Sequence, residues 1–99
     1  MISSLDKFDS VGVSNTNAIQ DEIDYLRDTL EVLRATGDIS NDAFLEAGAV
    51  HGGLSLILNL ISQGISDEEA NEQLQSLKQR AISLNNTHPD LDKMVESKR

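Results

Sequence analysis

Apolar residues recur at a spacing of three and four through three successive stretches of this chain, each bracketed by residues that start and stop helices. Ile19, Ile23, Leu26, Leu30 and Leu33 form the first run. Asn17, with Gln20 three positions on, has the form of a capping box, Asp21 and Glu22 suit the positive end of a helix dipole, and Gly37 stands where a terminating glycine belongs. The second run, behind Ser40, is Phe44, Ala47, His51, Leu54, Leu58 and Ile61. The third is Ala70, Leu74, Leu77, Ala81 and Leu84, opened by Ser66 with Glu69 three residues later and stopped by Asn85 and Asn86. Pro89 suits the first turn of a short last helix carrying Leu91, Met94 and Val95. No stretch alternates as a half-buried strand does. The spacing predicts an all-α bundle of three main antiparallel helices, over about 17–36, 41–63 and 67–85, with a short C-terminal helix over about 89–97. Residues 1–14 hold no sustained period and read as a flexible N-terminal arm before a single helical domain over 15–97.

The helix over 41–63 is apolar on too many sides to stand alone. Leu56, Ile57 and Leu60 add to its seam, and a helix apolar all round must be buried all round. Ninety-nine residues, with no Trp, one Tyr and two Phe, make a small aliphatic core with a thin margin of stability. A homo-oligomer, a dimer, is therefore expected, with Val50, Leu54, Leu56, Ile57, Leu60 and Ile61 as its interface. Gly48, Gly52 and Gly53 fall inside the same helix, where each costs ~1 kcal/mol against alanine. They are expected to serve close helix packing, with a break at Gly52-Gly53 as the alternative.

Absences narrow the chemistry. Without cysteine there is no disulfide, thiolate nucleophile or Cys-type zinc site. The first ten residues carry Asp6 and Asp9 and lack the form of a secretory signal. The longest apolar stretch, Leu54 to Ile61, is interrupted by Ser55 and Asn59 and is far shorter than the ~20 residues of a membrane span. A soluble, cytoplasmic protein without membrane contact is the expectation. Net charge is −9, mostly carried by the first half, and no cluster of bases exists to displace counterions from a phosphate backbone. Direct nucleic-acid binding is disfavoured, and a basic protein partner fits.

Two features have the residue types of a site. Asp21, Asp24, Asp28 and Glu31 lie at helical spacing opposite the first apolar seam, as a solvated face or an acidic docking strip, with Arg27 and Arg34 interleaved. All-α nucleotide pyrophosphohydrolases bind metal between helices with such carboxylates, but the second Glu-x-x-Asp pair of that pattern is missing here. No metal or cofactor is expected. His51 sits at a seam position with no orienting acid and no nucleophile to activate, so a histidine satisfied within the fold is the plain reading. His88, before Pro89, reads as framing a turn.

No acid–base pair, nucleophile or cofactor motif survives, so a non-enzymatic module is expected. The leading function is protein–protein interaction through a helix surface, as a regulator, adaptor, chaperone-like protein or inhibitor. In composition the chain resembles many small bacterial and phage accessory proteins. An acidic mimic of nucleic acid and a self-assembling helical structural subunit are the alternatives.

Overall fold

The computed structural model describes residues 1–99 and is all-α, without strands. Five helices follow in order: α1 (Ile2–Asp6), α2 (Thr16–Ala35), α3 (Asn41–Ser62), α4 (Asp67–Thr87) and α5 (Leu91–Ser97). A single 3-10 turn, Val13–Asn15, leads into α2.

Local signals set most of the boundaries. Ser40 and Ser66 cap α3 and α4, their hydroxyls accepting the N–H of Ala43 and of Glu69 at 3.1 Å each. Gly37 and Gly64 take positive φ, 76° and 93°, and close α2 and α3 with paired backbone bonds of the Schellman type. In the first, Asp38 N–H reaches Leu33 O at 2.9 Å; in the second, Ile65 N–H reaches Leu60 O at 3.0 Å. Two expectations about helix ends give way. Asn17 is not a cap, because α2 starts at Thr16, and Asn15 spends its side chain on the preceding loop, accepting from Gly12 N–H and donating to Ser10 O. Asn85 and Asn86 do not stop α4, which runs on to Thr87 before His88 and Pro89 end it.

α3 packs along both α2 and α4, which share no comparable contact with each other. The slot left between them is filled by α1, against α4 and α5, and by α5, against α2. The N-terminal segment is therefore not a loose arm. Met1, Leu5, Phe8 and Val11 all lie in the hydrophobic core. Polar contacts tie the segment down as well: Asn71 Oδ1 accepts Val11 N–H at 2.8 Å and Lys78 Nζ donates to Phe8 O at 2.7 Å. Asp92 accepts from Ser3 N–H, the Ser3 hydroxyl and the Met1 amine, at 2.9, 2.6 and 2.5 Å.

The buried row of α3 is Ala43, Ala47, Val50, Leu54, Ile57 and Ile61. Ala47, Leu54 and Ile61 of the expected seam lie in this row, whereas its other members, Phe44, His51 and Leu58, are only half-buried on the flank, one position from Ala43, Val50 and Ile57. Two neighbouring helices widen the sector that α3 must bury, so adjacent rows are both engaged. Gly52 and Gly53 do not break the helix. A Cβ on Gly53 would run into the buried side chain of Leu77, so this glycine lets α4 approach closely.

Candidate interaction surface

Four of the six residues expected at an interface belong to the core of the chain itself. Val50, Leu54, Ile57 and Ile61 are buried against the bundle, and Leu60 is half-buried. Leu56 alone is open, at 53% exposure. The outward side of α3 carries a second open leucine that the sequence reading passed over, Leu45, at 68%. At 100° per residue Leu45, Ala49, Gly52 and Leu56 fall within one narrow stripe, with Gly48 at its margin. Gly48, Ala49 and Gly52 are all exposed, and beyond the local helix backbone a Cβ on Gly48 or Gly52 would meet no atom within 4 Å. Unlike Gly53, these two glycines serve no contact inside the bundle. The surface they make is a floor of backbone and small side chains with a leucine standing at each end. No Asp, Glu, Lys or Arg occurs between Glu46 and Asp67.

By length and composition α3 is also the one helix of the chain apolar enough to cross a bilayer. In this fold its Ala43-to-Ile61 row faces α2 and α4.

The acidic strip on α2 is partly neutralised. Asp21, Asp28 and Glu31 are exposed and Asp24 is half-buried. Arg27 donates to Asp28 at 3.1 Å and to Asp24 at 3.3 Å, and Gln20 donates to Asp24 at 2.9 Å. Arg34 leaves the strip altogether, its guanidinium lying 4.6 Å above the ring of Phe44. No three His, Asp or Glu side chains anywhere in the chain converge as a metal ion requires.

His51 is half-buried, and its Nε2 is buried without a hydrogen-bond partner, so the expected satisfying contact is missing at that atom. His88 is better placed, bridging α3 and the end of α4 through Glu46 at 2.8 Å. Beside that bridge a shallow cleft of about 220 Å³ runs between α3 and α4, past Glu46, Ala49, Arg80 and Thr87. That is below the ~300–1,000 Å³ usual for small-molecule sites.

The strongest electrostatic feature is a buried carboxylate with a structural role. Glu22 is 4% exposed and receives Lys7 Nζ at 2.9 Å and a short hydrogen bond from Arg99. Burial pushes its pKa up, but the hydrogen bonds from Arg99, Lys7 and Ser4 outweigh that and hold it below the ordinary value. Asp92 is shifted the same way: burial raises it, and the Met1 amine and Ser3 more than compensate. Both carboxylates join the terminal segments to the bundle. No family model matches the chain, and no curated protein or solved structure is similar to it.

Proposed function

We propose that this chain is a small protein–protein interaction module, with no reaction of its own, that engages its partner through the outward face of α3. The observation that carries this reading is the pairing of two open leucines, Leu45 and Leu56, with two exposed helix-interior glycines at which an added Cβ would meet no other part of the bundle. Each glycine costs the isolated helix ~1 kcal/mol against alanine, and neither stands at a helix end or leaves room for a neighbouring helix as Gly53 does. Close approach of another surface supplies the offset, since a floor without Cβ atoms lets a second backbone come near and the leucines bury on either side. Mimicry of nucleic acid has less support, because Arg27 occupies two of the four carboxylates such a strip would present.

A chain without cysteine allows a clean test. Single thiols are introduced by Ala49→Cys on the stripe and, as a control, by Ser76→Cys on the exposed side of α4. In the purified chain at low concentration both label with maleimide at similar rates. Inside the cells that make the protein, the thiol on α3 is expected to react at least ten-fold more slowly than the control. Equal rates there would overturn the reading.

A further inference from the structure

We infer that the surface covering this stripe is the same stripe of a second copy of the chain, crossed antiparallel about the midpoint between Val50 and His51. The inference rests on the proposed role of the α3 face and names its occupant. Three observations converge on it.

Charge comes first. Two chains of net charge −9 repel, which favours association through a face that adds no like-charge contacts. The exposed side of α2 carries Asp21, Asp28 and Glu31, and the first turns of α4 carry Glu68, Glu69 and Glu72. From Ala47 onward the α3 stripe carries neither sign.

The second is the symmetry of the pattern itself. A two-fold contact is isologous: residue i meets residue j, and j meets i. Leu45 and Leu56 stand equally far from the midpoint between Val50 and His51, and so do Ala49 and Gly52. Antiparallel crossing at that point sets each Leu45 beside the other copy's Leu56 and each Ala49 over the other's Gly52. Small residues then meet at the closest approach and leucines fill the diverging ends. A parallel pair would instead bring Asp42 and Glu46 of both copies together and align the two helix dipoles unfavourably.

The third is fit. With nothing beyond Gly48 and Gly52, the helix axes can approach to about 8 Å, the close end of helix packing. One helix face offers less than the ~800 Å² per partner of a standard interface, so a weak, concentration-dependent dimer is expected, with Kd in the micromolar range or above.

Sedimentation equilibrium from about 10 μM to about 1 mM, bracketing that range, tests the inference. The wild-type mass should rise from 10.8 kDa toward twice that value. Leu45→Glu alone and Leu56→Lys alone should each weaken association at least ten-fold, because a charge then faces a leucine. The double variant L45E/L56K should recover it to within a few-fold, since each carboxylate then faces an ammonium of the other copy. Circular dichroism on each variant confirms that the bundle is intact. A monomer at every concentration overturns the inference, as does a dimer indifferent to the single changes or a double variant that stays monomeric. Flotation with phosphatidylcholine–phosphatidylglycerol vesicles, abolished by L56K, would assign the face to a bilayer and overturn it as well. If the wild type is monomeric while the thiol at position 49 remains protected in cells, the interaction role stands and only the second copy is refuted.

Discussion

The guanidinium of Arg99 donates to the carboxylate of Glu22, joining residues 77 apart in sequence, and the same group lies 4.1 Å over the ring of Tyr25. Glu22 is the buried member of this pair and Lys7 its second donor. Because its folded-state pKa lies below the ordinary value, the unfolded chain takes up the proton first as pH falls. The stabilisation is thus complete above about pH 4.5 and is lost as pH drops through the folded-state value. Denaturant midpoints should decline below about pH 4.5, and Glu22→Gln should flatten that decline.

Removing both donors should reverse the sign. In a K7A/R99A double variant the carboxylate stays buried with only Ser4 nearby, so burial raises its pKa above the unfolded value. Stability at pH 7 should fall by about 2–4 kcal/mol, discounted from the fully buried case because Lys7 and Arg99 are partly solvated. Acidification from pH 7 to 5 should then recover part of the loss, a gain that Glu22 does not contribute in the wild type. Urea titrations at the two pH values measure this.

Asn71 holds the N-terminal segment by both ends of its amide. Its Oδ1 accepts Val11 N–H at 2.8 Å, and its Nδ2 donates to Val11 O at 3.2 Å and to Asp67 O at 2.8 Å. Asn71→Ala should cost about 1–3 kcal/mol, since it leaves Val11 unpaired in a buried position. Hydrogen exchange should show the loss first at Val11, before the amides of α4.

These contacts show where sequence reading succeeds and where it stops. Ser40, Ser66 and Gly37 were legible because capping is settled within a few residues. The phase of α3 was not, because Ala43, Val50 and Ile57 and the next row, Phe44, His51 and Leu58, have the same heptad period. Only packing on both α2 and α4 selects between them. Met1, Leu5 and Phe8 stand at helical spacing, yet a helix of five residues is too short to form without the distant partners that bury it. Leu56 was visible as one of an apolar excess. Leu45 was hidden between Asp42 and Glu46, and its exposure depends on which way α3 faces. Glu22 read as an acid in a favourable helix turn, and its burial follows from Arg99 at the far end of the sequence.

Tyr25 offers an optical report on the docking of α5. Its hydroxyl donates to Val95 O at 2.7 Å, and it is the one tyrosine of a chain without tryptophan. Tyr25→Phe should lower stability by about 1 kcal/mol, the net value of one such hydrogen bond. In the wild type, tyrosine emission and near-ultraviolet dichroism should change together with far-ultraviolet dichroism on unfolding. An earlier change in the tyrosine signals would mean that α5 leaves the bundle before it melts.

The three glycines of α3 should respond differently to the same substitution, because their surroundings differ. At concentrations too low for self-association, Gly48→Ala and Gly52→Ala should each stabilise by about 0.5–1 kcal/mol, as alanine gains helix propensity and its methyl enters open space. For a domain of this size that raises Tm by several degrees. Gly53→Ala gains the same propensity but drives its methyl into Leu77, which is itself buried and has little room to turn. Overpacking of this kind costs about 1–3 kcal/mol, so the net effect should be destabilising. Leu77→Ala leaves a cavity of its own, yet combined with Gly53→Ala it should cost less than the two separate losses added together. That coupling is measurable by a double-mutant cycle, and strict additivity would mean that Gly53 and Leu77 do not share the contact between α3 and α4.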